Sequence, residues 1–163
     1  MVEWAKAKET AAREYKAMQK MVEGYGYGEG KAAERTDLHV RTLAAKSVNG
    51  ARDELFPLIE SAYLSKDFDT AGALNDVMQW LDLFLLEMEL KLLWKDNAES
   101  RGYVVLMRSD AALLRGTGKL AASVKNLRHA GRGRGVKKAC AEIKESVGGL
   151  MMLLKRRRHS LGG

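Results

Sequence analysis

The sequence predicts an all-α protein, a helical bundle of about five helices with coiled-coil-like seams, and three observations point there. Only one proline interrupts the 163 residues. Ala, Leu, Lys, Glu, Arg and Met, which lose least on entering a helix, dominate the chain. Apolar residues recur three and four apart over long stretches, the spacing of one helix face. Hydrophobic residues make up 46% and charged residues 30%, which supplies a core and excludes a wholly disordered chain. The length suits one domain over 1–163, divided into an N-terminal helix with a Gly/Tyr loop (1–30), acidic central helices (31–100) and a basic portion (101–163).

Trp4, Ala11, Tyr15, Met18 and Val22 form one apolar stripe, predicting a first helix over about 3–23. GYGYGEG (24–30) then sets glycine at every second position, and each glycine costs a helix about 1 kcal/mol. The segment is expected to be a loop or hinge; a second reading has Tyr25 and Tyr27 stacking on bases. Thr36 or Asp37 is a suitable cap for a second helix carrying Leu38, Leu43, Ala45 and Val48, with Asn49-Gly50 as its stop. Pro57 is expected to begin a fresh short helix, because its missing N–H is harmless in a first turn.

Asp69 or Thr70 caps the next helix, expected to reach about residue 95. Ala71, Leu74, Met78, Leu81, Leu85, Met88 and Leu92 make a heptad-type seam. A second stripe of Val77, Trp80 and Phe84, with Leu83, Leu86, Leu90 and Leu93, predicts that this helix sits in the middle of the bundle, with Asp82 and Glu89 on its wet edge. After a turn near 96–102, leucine recurs every seventh residue at 106, 113, 120 and 127, with Tyr103, Asp110, Thr117 and Val124 at companion seam positions. Gly116 and Gly118 weaken this helix by about 2 kcal/mol together and leave open a split there. Val136, Cys140, Ile143, Val147, Leu150 and Leu154 define a final helix ending in KRRRHSLGG, with Gly148 and Gly149 marking a kink or a close backbone approach.

The net charge of +7 is unevenly spread. Residues 1–50 carry +2, residues 51–100 carry −7, and the last 63 residues, with fifteen basic and three acidic side chains, carry +12. Such a split implies an anionic partner, or the acidic middle of a neighbouring copy.

No catalytic motif fits. GYGYGEGK lacks the first glycine and the hydroxyl of a phosphate loop, having Tyr25 and Ala32 there; RGTGKL has Leu113 and Leu120 instead. The dinucleotide fingerprint fails at Glu29. His39, His129 and His159 have no metal-ligand spacing, and the single cysteine, Cys140, lies on an apolar stripe. Asp82, Glu87 and Glu89 read as a solvated rim. No enzyme activity, metal, cofactor or small-molecule substrate is therefore expected. The apolar run 80–94 is broken by carboxylates and falls short of the roughly 20 residues of a membrane span. The charged N-terminus has no export-signal core, so an intracellular nucleoprotein or a virion is the expected setting.

The candidate site is cationic. Arg101, Arg108 and Arg115 lie seven apart and cluster with Lys119 within about 40° on a face roughly 120° from the leucines. Lys125, Arg128, Arg132, Arg134, Lys137 and Lys138 follow around the Arg-Gly run LRHAGRGRGVKK; Lys155, Arg156, Arg157 and Arg158 close the chain. In the Arg-Gly run, which is expected to be partly extended, glycine would let the main chain lie against a phosphate backbone while guanidinium groups fork onto its oxygens.

In general architecture the chain is similar to helical, basic proteins that coat DNA, including nucleoid proteins and the helix-rich coat proteins of filamentous viruses. The expected function is a non-enzymatic structural protein that packages nucleic acid, principally double-stranded DNA, by sequence-independent phosphate contacts. It would self-associate through its leucine seams into a homo-oligomer or filament, with no membrane partner. The alternatives are a helical assembly protein without nucleic acid and an RNA- or ribosome-associated factor, with an unrecognised bundle enzyme as a further one.

Overall fold

Six α-helices and one short 3-10 turn make up the fold of this computed structural model, which describes residues 2–28, 30–94, 98–131 and 133–162. The helices are α1 Val2–Thr10, α2 Ala12–Met21, α3 Gly30–Leu64, α4 Phe68–Met88, α5 Ser100–Asn126 and α6 Arg134–Arg158, and the 3-10 turn is Leu127–His129. The molecule is the all-α bundle that composition and periodicity predict, with six helices among the described residues rather than five.

The four long helices stand at the corners of a bundle in the order α3, α4, α6, α5. Cross-contacts set their directions. Arg41 meets Met88 and Arg52 meets Asp82, so α3 and α4 are antiparallel. Asp69 meets Lys137 and Asp76 meets Lys144, so α4 and α6 run parallel. Gly102 abuts Ser160 and Gly116 abuts Leu150, so α5 and α6 form an antiparallel hairpin. The chain thus passes diagonally from α4 to α5, and the described residues 89–94 and 98–99 belong to this crossover at one end of the bundle. Helices α1 and α2 pack on α5.

Several expectations change. The first helix is two, because the backbone leaves helical geometry at Ala11 (φ −113°, ψ 40°). A straight helix would separate Trp4 and Tyr15 by about 16 Å along its axis, whereas their ring centroids lie 6.0 Å apart. The break folds both rings into one aromatic cluster with Tyr25, Tyr27 and Tyr103.

Neither the stop at Asn49-Gly50 nor the fresh start at Pro57 occurs, since α3 runs through both. Val40, Ala44, Val48, Ala51 and Leu55 are buried in one unbroken stripe across the glycine, while Gly50 and Pro57 lie on the exposed side. Burying a Val or Leu side chain is worth about 1.5–3 kcal/mol, so the stripe outweighs the roughly 1 and 3 kcal/mol that Gly and Pro cost in a helix interior.

The N-cap of α4 is Asp67, whose side chain accepts from the Thr70 N–H at 3.2 Å, rather than Asp69 or Thr70. The helix ends at Met88, short of 95, where the Arg41 guanidinium donates to the carbonyls of Met88 (3.1 Å) and Glu89 (3.4 Å). That contact occupies acceptors a helix C-terminus leaves open. The middle of the bundle belongs to α5, not α4. Leu106, Leu113, Leu120 and Leu127 are buried together with Tyr103, Asp110, Thr117 and Val124. On α4, Val77 and Phe84 are buried, but Trp80, Leu83, Leu86, Leu90 and Leu93 along and beyond it remain exposed. Helix α5 does not split at its glycines; Gly116 is the notch into which Leu150 of α6 fits, and a Cβ there would displace the Leu150 terminal methyl. Helix α6 likewise continues through Gly148 and Gly149.

Candidate nucleic-acid interface

The α5–α6 hairpin carries the cationic surface. Arg101, Arg108, Arg115 and Lys119 are all exposed on an unbroken helix, so their sevenfold spacing makes a true row about 27 Å long. On α6, exposed Arg134, Lys138 and Arg156 share one face to within about 40°, but exposed Glu145 and Met152 stand in the same arc between Lys138 and Arg156, so α6 carries scattered cations and no continuous row. Of the three carboxylate residues in the last 63, Asp110 is fully buried, leaving Glu142 and Glu145 exposed on α6.

The remaining cations are dispersed. Lys125 is exposed on another side of α5, bordering a shallow hollow with Lys46 and Gly50 of α3. Arg128 lies exposed in the turn beside the α3–α4 connection. Lys137 sits 3.6 Å from Asp69, both well exposed, a pair of little energetic weight. Lys155 is exposed near the end of α6, while Arg158 is half-buried and its backbone carbonyl accepts from the Leu93 N–H. Arg132 lies outside the described residues.

The described residues of the Arg-Gly run form a turn rather than a partly extended loop. Gly131 (φ 79°) and Gly133 (φ 74°) take left-handed conformations that favour glycine, letting the chain reverse from the 3-10 turn into α6. The C-terminal tail is folded as well: Leu161 is buried and Ser160 lies against Gly102 at the start of α5.

Arg157 is a correction. Its side chain is 2% exposed and sits inside the bundle, unable to reach a phosphate. Its Nε lies 2.5 Å from Asp110 Oδ1, one terminal nitrogen is 2.8 Å from Asp37 Oδ1, and the other donates to Tyr27 Oη at 3.1 Å. The hydroxyls of Tyr25 and Tyr27 donate to Asp110 Oδ2 at 2.6 and 2.8 Å, and Arg41 Nε donates to Asp37 Oδ2 at 3.1 Å. Burial works against the Arg157 charge, but Asp110, Tyr27 and Asp37 outweigh it and hold the guanidinium protonated above its ordinary range. Burial first, then the Asp110 charge, pushes both tyrosine hydroxyls well above the usual phenol value. Base stacking by Tyr25 and Tyr27 is therefore overturned, since both rings are buried and both hydroxyls are engaged.

This network was partly legible. Asp110 occupies a seam position between leucines, and Arg157 falls three residues after Leu154 on the α6 stripe. Charges on apolar stripes need buried partners. Three cations outside any sequence cluster also escaped notice: Lys31, Arg35 and Lys91 come together beside the crossover.

Cys140 is buried and its thiol is pushed upward by burial, as suits a small core residue. Among the described residues no three His, Cys, Asp or Glu side chains are grouped to hold a metal, and no helix is long and apolar enough to cross a membrane. No protein-family model, curated protein or solved structure matches this chain. Fold and surface define its class: an all-α crossover bundle with an exposed cationic row along α5 and an uncovered apolar strip along α4.

Proposed function

We propose that the protein is a structural, non-enzymatic nucleic-acid-binding protein that holds double-stranded DNA through phosphate contacts of the α5–α6 hairpin. The observation that carries this reading is the row of Arg101, Arg108, Arg115 and Lys119, exposed along one face of α5, whose one carboxylate, Asp110, is fully buried. Self-repulsion within such a surface is relieved when a polyanion neutralises it. The row on α5 spans about 27 Å, or roughly eight base pairs at 3.4 Å each. A straight helix face with no protruding loop suits backbone contact and gives no base-edge readout.

If Arg101, Arg108, Arg115 and Lys119 each neutralise one phosphate, the salt slope is about −3.6, and affinity falls about 150-fold between 50 and 200 mM salt. Fluorescence anisotropy with two 20-base-pair duplexes of unrelated sequence tests this. Equal affinities with that slope are expected; no binding at 50 mM, or a flat salt response, overturns the reading. A structured-RNA competitor distinguishes DNA packaging from an RNA-associated role.

A second element is self-association, which shifts from the leucine seams, now buried within one chain, to the strip of Trp80, Leu83, Leu86 and Leu90. Gly148 of α6 packs against the Trp80 ring, and Met152, 69% exposed, lies one turn further along α6. This strip also favours the rival reading of an assembly protein without nucleic acid. Sedimentation of nuclease-treated material separates them: particles that persist unchanged and do not bind duplex support the rival.

A further inference from the structure

A cleft of about 530 Å³ opens between the first turns of α3 and the crossover segment. It lies within the size range of small-molecule sites, about 300–1,000 Å³. Its apolar wall is Leu38, Leu92 and Trp94, of which Leu38 is 53% and Trp94 45% exposed. Lys31, Arg35 and Lys91 stand around this wall, all exposed, and among the described residues none is engaged in an ion pair. Arg41 lines the cleft as a fixed charge, held by Asp37 and the carbonyls of Met88 and Glu89 at the end of α4. Of the two carboxylates lining it, Asp37 is taken up by Arg41 and Arg157, so Glu34 alone opposes the rim cations.

We infer that this cleft binds a planar aromatic anion of about the size of a nucleoside monophosphate. A half-exposed indole flanked by two leucines offers a platform for one ring. Unpaired Lys31, Arg35 and Lys91 supply the complement to a phosphate or carboxylate at the ring's edge, with guanidinium able to fork onto two oxygens. The buried Asp37–Arg41–Arg157 contacts anchor this end of α3, so the α3 side of the cleft is fixed before the ligand arrives. The cleft is built from α3 and the crossover, apart from the α5 cationic row, and does not depend on duplex binding.

Calorimetric titration of the full chain, free of nucleic acid, tests the inference with adenosine 5′-monophosphate, adenosine, ribose 5-phosphate and 1-naphthoate. Saturable one-to-one binding of the monophosphate is expected, with adenosine and ribose 5-phosphate each at least about tenfold weaker because each lacks one half of the recognition. Naphthoate binding as tightly as the monophosphate assigns the site to aromatic carboxylates, and weaker naphthoate binding assigns it to nucleotides. Arg35→Glu, Lys31→Glu and Trp94→Ala, all at exposed positions, should each weaken binding about tenfold, while Lys66→Gln at the opposite end of the bundle leaves it unchanged. The inference is overturned if neither the monophosphate nor naphthoate saturates at millimolar concentration, if adenosine matches the monophosphate, or if the three cleft variants bind as the parent does. Duplex affinity of Arg35→Glu, measured separately, stays at the parent level whatever the cleft does.

Discussion

Replacing Arg157 with methionine removes the positive centre of the buried network and leaves two carboxylates behind. Asp110, fully buried, keeps the Tyr25 and Tyr27 hydroxyls, and Asp37 keeps Arg41. Breaking a buried ion pair from one side costs about 3–5 kcal/mol. Because both carboxylates retain a donor, the lower end applies, and about 3 kcal/mol is the expected loss. For a chain of this size each kcal/mol moves Tm by about 2–4 °C, so Arg157→Met should melt about 6–12 °C below the parent. Arg156→Met, one residue away and exposed, should change stability by no more than about 0.5 kcal/mol. Thermal denaturation followed by circular dichroism at pH 7 compares the two variants, and duplex anisotropy below the transition reads the other half of the assignment. Arg157→Met should keep the salt slope of the parent. Equal melting of the two variants, or a duplex affinity that falls only in Arg157→Met, refutes the placement of Arg157 as an internal tie. Arg157→Lys should recover only part of the loss, since an ammonium cannot reproduce the fork that reaches Asp37, Asp110 and Tyr27 together.

Substituting Arg115 and Lys119 together with alanine should lessen the salt slope of duplex binding by about 1.8 and leave Tm near the parent value; an unchanged slope removes these residues from the interface. Gly116 and Gly118 of α5 should respond differently in urea titrations. Gly116→Ala must push aside the terminal methyl of Leu150, which offsets its helix-propensity gain, whereas Gly118→Ala has open space and should stabilise by up to about 1 kcal/mol. Equal shifts would contradict the packing described. The buried tyrosines set a pH dependence: their folded values lie above the ordinary phenol range, so the contribution is complete below about pH 10 and is lost as pH rises above it, when the unfolded chain ionises first. Urea midpoints from pH 9 to 11 should fall, and less steeply for Tyr25→Phe with Tyr27→Phe; parallel slopes refute it.

Helix faces are local properties of the chain and were legible before any packing was known. The leucine register of α5 and the Val136-to-Leu154 stripe of α6 are periodic features of a single segment, and both stripes are buried. The cationic row at 101, 108, 115 and 119 follows from the same periodicity once α5 is unbroken. Tertiary structure decided which neighbour, if any, covers each face. The second stripe of α4 reads as core, yet the diagonal crossover places α4 against only two of the long helices and leaves Trp80, Leu83 and Leu86 uncovered. Gly50 and Pro57 read as breaks because their local penalties are visible in the chain, while the burial that overrides them exists only after α3 packs on α4 and α5. Arg157 reads as one member of a basic tail. Only the fold brings Asp37, Asp110 and two tyrosine hydroxyls, from three other segments, around its guanidinium, because local periodicity says which way a side chain points and not what waits there.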